Sequence, residues 1–394
     1  MAGLSKVTIN LGANGLGRRP INQDKISGLL FFNSTPPSGF SSVAVQKVYS
    51  LSEAETLGIA EGSSGHGVEW YHISEYFRLN PDGELWIGYY AVPGGSYTFA
   101  EIATMLLAAN GEIRQLGVYA NALTYASSQL TTIQAIWAAM GDAYKQVNIF
   151  YAPNTAGVTS VTGWSSIADT RALACPNVTA VVGQDGSGAG AALFVSKAYT
   201  ISHLGALLGA ISKASVEQSV GNPDNFNFSN GTELELPALG NGDLVSALTS
   251  TALGGLKDKG YAILRKYTPD ISGTYSERVP TATPATDDYA WVEVRRTVNK
   301  VIRLVRTALI PKLQATLYVK SDGTLRDDTV GFFQDLAQTP LDQMKADGEI
   351  SDAQALVDPT QDVLGTSTLT ISVAIIPVGI AEQIVVDIGL VTSL

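Results

Sequence analysis

The chain has 394 residues, 45% of them hydrophobic and 15% charged, with a formal net charge of −11. That composition excludes a disordered or fibrous chain and leaves room for a sizeable core divided over two or three domains. The acidic balance excludes a general nucleic-acid or membrane-surface binder, because neutralising phosphate needs a net basic footprint.

One cysteine, Cys175, leaves no internal disulfide. The opening Met-Ala-Gly-Leu-Ser-Lys lacks the apolar stretch of a secretory signal, so folding in a reducing cytoplasm is expected. No uninterrupted apolar run reaches the ~18–20 residues that a membrane-spanning helix requires.

Residues 1–25 read as an arm. Val7, Ile9 and Leu11 alternate with Lys6, Thr8 and Asn10 as in a short strand, followed by the Gly-rich stretch Gly12–Gly17 and Arg18-Arg19-Pro20. Residues 26–230 read as an α/β region with strands at Gly28–Phe32, Leu85–Val92, Leu116–Tyr119, Val147–Tyr151 and Val178–Val182. Helical patterns lie between them at Gly67–Leu79, Thr98–Ala109 and Tyr125–Lys145. This alternation predicts α/β and α+β architecture, with mixed, partly parallel sheets covered by helices and strands buried on both faces. A further helix is predicted over Ala191–Ala214, then the turn-rich segment Gly221–Phe228. The polar loop Thr268–Thr286 reads as a boundary within a C-terminal domain of residues 231–394.

A basic amphipathic helix is predicted from Asp287 to about residue 310. Between Val294 and Ser321 stand seven bases (Arg295, Arg296, Lys300, Arg303, Arg306, Lys312, Lys320) and no acid. At 100° per residue, Trp291, Val294, Val298, Val301, Ile302, Val305, Ala308 and Leu309 share one face. Arg295, Arg296, Lys300, Arg303 and Arg306 share the opposite one, which is expected to face solvent or a partner. Pro311 ends or kinks the helix.

Next come a strand at Ala315–Lys320, the turn Ser321-Asp322-Gly323 and a helix near Asp327–Gln338. Thr339 is expected to cap another helix, with Pro340 at its first position and Gly348 past its end. Residues 366–391 hold two alternating strands. In the first, Leu369, Ile371, Val373 and Ile375 alternate with Thr370, Ser372 and Ala374; in the second, Ile384, Val386, Ile388 and Leu390 alternate with Gln383, Val385, Asp387 and Gly389. Such terminal strands either pair within one subunit or complete the sheet edge of a neighbour.

Candidate chemistry is thin. His66, Glu69, His72 and Glu75 are three residues apart on a helix and drift about 60° at each step, so they do not converge as metal ligands. Gly183–Gly190 follows a strand and precedes a helix, but it has neither the Lys-Ser/Thr ending of a P-loop nor G-x-G-x-x-G spacing. Cys175 precedes Pro176 with no nearby His, which favours buried packing. Asp327-Asp328 sits where carboxylates favour a helix start. No catalytic, metal or cofactor site is expected, and the protein is not read as an enzyme.

In order and spacing, several segments resemble the tail sheath proteins of contractile phage tails and related contractile injection systems. These are Gly205-Ala206-Leu207-Leu208-Gly209-Ala210-Ile211 with Ser215-Val216-Glu217 and Gly221-Asn222-Pro223, then Gly260-Tyr261-Ala262-Ile263-Leu264-Arg265, then Trp291-Val292-Glu293-Val294-Arg295-Arg296, and finally the closing Ile376–Ile384. Tyr275–Pro280 departs from the Gly-Ala-Arg-Thr-like stretch of many sheaths, and the short chain leaves little room for decorating domains. The resemblance implies a virion structural protein, assembled in the bacterial host cytoplasm into a helical homo-oligomer around an inner tail tube, with baseplate and tail terminator proteins as further partners. It implies β-strand exchange through Lys6, Val7, Thr8, Ile9, Asn10, Leu11 and Gln383, Ile384, Val386, Ile388, Leu390, with Gly12–Gly17 and Val363–Gly365 as hinges. Inner-tube contact would fall on Arg295, Arg296, Lys300, Arg303 and Arg306. A cytoplasmic α/β enzyme or another self-assembling virion protein are the alternatives.

Overall fold

The computed structural model describes residues 23–63, 65–267, 269–386 and 388. The arm strand Lys6–Leu11, the Gly12–Gly17 hinge and Leu390 lie outside them.

Strands β1 (Ser27–Phe32), β2 (Val45–Val48), β3 (Leu85–Tyr90), β4 (Gln115–Thr124), β5 (Asn148–Asn154) and β6 (Val178–Val181) are followed by a small ribbon, β7 (Gly183–Asp185) with β8 (Pro237–Leu239), and then by β9 (Tyr261–Ala262). Seven of these form one sheet in the order β2-β3-β1-β4-β5-β6-β9. Only the edge strand β2 runs antiparallel. Helices α1 (Leu51–Thr56), α2 (Gly67–Leu79), α3 (Glu101–Ala108), α4 (Ser128–Ala139), α5 (Ser160–Ser166), α6 (Gly188–Lys197), α7 (Leu204–Lys213) and α8 (Ser250–Asp258) alternate with the strands.

Burial on both faces follows from the strand composition. In β1, Leu29 and Phe31 join the core under α2 and α7, while Leu30 and Phe32 join the core under α3 and α4. Parallel strands covered on both sides need such continuous apolar runs. The sheet extends to Ala262, beyond the domain limit expected at residue 230.

After the hairpin β10 (Leu264–Tyr267) and β11 (Ile271–Ser276), the long helix α9 (Val292–Leu309) leads into a smaller unit. That unit consists of α10 (Asp327–Ala346), β12 (Asp352–Val357), the short helix α11 (Val363–Thr366) and β13 (Ile371–Ile376). Its core gathers Val301, Ala337, Leu341, Met344, Ile350 and Ala355.

Four local expectations are corrected. The helix expected over Ala191–Ala214 is two helices, α6 and α7, broken where Ala198 and Ser202 take left-handed φ values of 57° and 63°. Thr200 pins that break: its hydroxyl donates to Gly240 O at 2.5 Å and accepts from Thr155 N at 2.8 Å. The two helices expected around Thr339 are one, α10, with Pro340 inside it. Ala337, Leu341 and Met344 continue one buried stripe across the proline, and Thr339 Oγ1 donates to Asp335 O at 2.8 Å, so burial outweighs the lost backbone bond. The strand expected at Ala315–Lys320 reduces to a bridge between Val319 and Leu325. The hinge expected at Val363–Gly365 is the helical turn of α11, capped by Asp362 accepting from Gly365 N at 2.8 Å.

The Gly205–Ile211 motif has a steric cause. A Cβ on Gly205 would lie 2.1 Å from His72 O, and one on Gly209 would lie 2.6 Å from Tyr76 O, so both glycines let α7 approach the α2 backbone. Gly205→Ala is therefore expected to lower stability by about 1–3 kcal/mol despite the better helix propensity of alanine. Gly254→Ala in α8, with nothing near its Cβ position, is expected to be neutral or to stabilise by up to about 1 kcal/mol. Denaturant unfolding of the two variants checks both.

Candidate functional site: a buried basic helix face and an open sheet edge

The basic face of α9 is turned inward over its first half. Arg295 is 8% exposed and Arg296 5%. The helix crosses the N-terminal rim of the parallel sheet, where strand ends present polar groups, and its polar side chains meet them there. Asn299 Nδ2 donates to Asn148 Oδ1 at 2.8 Å, and Arg295 Nε donates to Asn177 Oδ1 at 2.6 Å. The Arg295 guanidinium also lies 4.9 Å from the Tyr289 ring centroid.

Arg296 reaches the C-terminal end of α7 and donates to Ser215 O at 2.9 Å and Ala214 O at 3.1 Å. There it satisfies free carbonyls at the negative end of the helix dipole. Burial lowers its pKa to about 10. Lys300 bonds Glu349 at 2.5 Å and Asp24 at 3.0 Å, and Arg303 also pairs with Asp24. The expectation of a solvent-facing cationic stripe is thus corrected for Arg295, Arg296, Lys300 and Arg303. Arg306 remains exposed, with no ion pair among the described residues.

The second feature is the hairpin of β12 and β13, whose inner face (Ala353, Ala355, Val357, Ile371, Val373, Ile375) packs towards α10 and neighbouring residues. The two edges of this hairpin differ. On β12, Gln338 imitates a neighbouring strand: its Oε1 accepts from Ala355 N at 2.8 Å and its Nε2 donates to Ala353 O at 3.1 Å. Gln334 Oε1 accepts from Val357 N at 3.4 Å.

Ala355 faces Val373 in the register. Because its N–H points away from β13, this is a non-hydrogen-bonded pair, and the N–H and C=O of Val373 point to the opposite edge. Among the described residues the sheet holds only these two strands, so no described strand pairs with the outer edge of β13. Close in sequence to that edge, the described part of the second terminal strand forms no strand here. Ile384 and Val385 are each 83% exposed, Val386 72% and Ile388 88%.

The other candidates stay dispersed. His72 and His203 are buried among aromatic rings, and burial lowers their pKa values to about 3 and about 4. Glu69 accepts from Asn33 at 2.8 Å, and Glu75 pairs with Arg78 at 2.5 Å. No group of three or more His, Cys, Asp or Glu residues able to hold a metal occurs among the described residues. In the Gly-rich turn, the Glu233 carboxylate accepts from Ala189 N at 2.9 Å, so the α6 N-terminus is already neutralised by the protein's own acid. Cys175 is buried, and desolvation raises its thiol pKa to about 11. Asp327 and Asp328 occupy the first turn of α10 and pair with Lys320 and Arg326. No helix is long and apolar enough to cross a membrane among the described residues.

The fold as a whole is shared with chains in structures of contractile injection systems. A chain from the cryo-EM structure of the anti-feeding prophage (AFP) baseplate, six-fold symmetrised, superposes with a TM-score of 0.64 at 16% identity, covering 99% of both chains. A chain from an extracellular contractile injection system, the PVC sheath complex in the contracted state, gives 0.62 at 14% identity, covering 100% of this chain and 98% of that one. The AFP baseplate in its contracted state gives 0.57 at 14%, covering 98% and 97%. No curated protein matches in sequence. The chain belongs to the DUF2586 family, whose N-terminal domain matches residues 4–278 and whose C-terminal domain matches residues 288–394.

Asp24 ties α9 to the large sheet, and its titration is testable. Burial opposes its charge, but Arg303 and Lys300 outweigh burial and hold the carboxyl below the usual range. A depressed acid contributes stability above its unfolded pKa of about 3.9 and loses it as pH falls through the lower folded value. Asp24→Asn is expected to cost on the order of 3 kcal/mol at pH 7, because two bases lose a mostly buried partner. It should also flatten the decline of stability below about pH 4. Urea unfolding from pH 7 to pH 3 measures both.

Proposed function

We propose that this protein is a structural subunit of a contractile tail sheath, polymerising around an inner tube and contracting to drive it through a target envelope. The observation that carries the proposal is the β13 edge, unpaired among the described residues, together with an exposed, strand-patterned C-terminal segment. The whole-length likeness to chains of contractile injection systems supports it.

A strand donated by a neighbouring copy would complete the open backbone groups of β13, with Gln383, Ile384, Val386, Ile388 and Leu390, or Lys6–Leu11, as donors. Gln338 and Gln334 leave β13, rather than β12, as the edge ready to accept. In this reading contraction is a two-state change of a bistable lattice and needs no nucleotide: extended assembly traps one packing, and larger subunit contacts favour the other. Two of the similar structures are baseplates, which supports a second reading as a baseplate-associated subunit of the same fold.

Contact with the inner tube is assigned to Arg306, the exposed member of the basic face. Arg306→Glu is expected to reduce extended sheath–tube particles several-fold while leaving the subunit's melting temperature unchanged. Normal particle numbers would remove that assignment. Deleting residues 383–394 should leave folded subunits that form no tubes. Electron microscopy of purified full-length and truncated chains tests this: ordered tubes from the truncated chain would refute strand donation by the C-terminal segment, and the absence of tubes with or without an inner tube would favour the baseplate reading.

A further inference from the structure

The C-terminal segment leaves β13 and turns back onto the large body. Between residues 366 and 386 it carries a single charge, Glu382. That carboxylate bonds Lys257 Nζ at 2.8 Å and Arg278 Nη1 at 2.5 Å, and its side chain is 28% exposed. Both bases belong to the large body, Lys257 at the end of α8 and Arg278 after β11.

The receiving site is held in place by groups other than the arm. Arg278 Nε bonds Glu293 Oε1 at 2.5 Å, and its guanidinium lies 4.1 Å from the Trp291 ring centroid. Lys257 also pairs with Glu277 at 3.3 Å, and Glu277 pairs with Arg265. Three bases therefore face two body acids, and Glu382 supplies the third negative charge. Val378, Ile380 and Ala381 lie with it along a groove of about 600 Å³, beside the Ser219–Pro223 turn. Beyond Glu382, the exposed Ile384, Val385 and Val386 contribute little burial that could hold the arm in place.

We infer that Lys257 and Arg278 form a carboxylate-binding latch for the chain's own C-terminal arm, closed by Glu382 and opened when the arm is donated to a neighbour. The donation step rests on the sheath reading. Latched at residue 382, the arm pivots five residues further along than it does when it is free from Pro377. Opening therefore adds roughly 16 Å of reach at about 3.3 Å per residue. A partly exposed ionic latch weakens with salt, whereas apolar strand docking does not, so salt shifts the balance towards donation.

The test uses the full chain with a nitroxide on Gln383→Cys. The buried native Cys175 is a poor competitor for the label. The label is expected to be immobilised at low salt and mobile in Glu382→Gln, in Lys257→Gln and in the parent at 1 M salt, with melting temperatures unchanged. Equal mobility in parent and Glu382→Gln at low salt would overturn the latch, whether or not tubes form. In parallel, Glu382→Gln should polymerise at a threefold to tenfold lower concentration than the parent at low salt and lose most of its salt dependence. An unchanged threshold would refute the role of the latch in donation. Absence of tubes from every chain alongside a mobilised label would refute the sheath reading and leave the latch standing.

Discussion

The seating of α9 on the polar rim of the parallel sheet is the interaction on which the rest of the molecule depends. Parallel strands bury both faces in helices, but their N-terminal ends present polar groups such as Asn148 and Asn177 that a further element must cover, and both are buried here. The helix meets these ends with Arg295 and Asn299, meets the end of α7 with Arg296, and meets Asp24 with Lys300 and Arg303. Its second half then turns Val301, Leu304 and Val305 into the core of the small unit. One rigid helix thereby joins a hydrogen-bonded, charged junction to an apolar one. The orientation of the small unit is tied to the large body by groups that are expensive to leave unpaired.

That rigidity makes the sheet edges meaningful. An open edge at a fixed position offers a defined docking line, whereas one on a loose unit would aggregate. The two edges of the hairpin are treated differently: the amides of α10 cover β12, while no described strand pairs with the outer edge of β13. The arm that follows β13 is held by charge rather than by burial, and such a contact can be exchanged without unfolding anything.

Much of this was legible in the sequence, for identifiable reasons. The Gly67–Leu79 helix and the strands at Gly28–Phe32 and Val178–Val182 carry strong periodicity or continuous apolar runs, and the structure places elements there within one residue or so. The break at Ala198–His203 was hidden because it is enforced by Thr200 bonding to residues about forty positions away in the chain. Pro340 looked like a helix start because local chemistry ignores the buried stripe that runs past it. β12 has weak strand chemistry of its own and depends on β13 and α10.

By itself, the sequence determined the layered α/β body, the long amphipathic helix and the strand-patterned terminal segment, because each is written in side-chain periodicity over neighbouring residues. Only the tertiary structure decided which face of that helix is buried. Periodicity separates polar from apolar residues, but it cannot show that a polar rim elsewhere in the chain makes the charged face the inner one. The same holds for Glu382, whose two partners lie more than a hundred residues away and acquire their meaning only when the chain folds back.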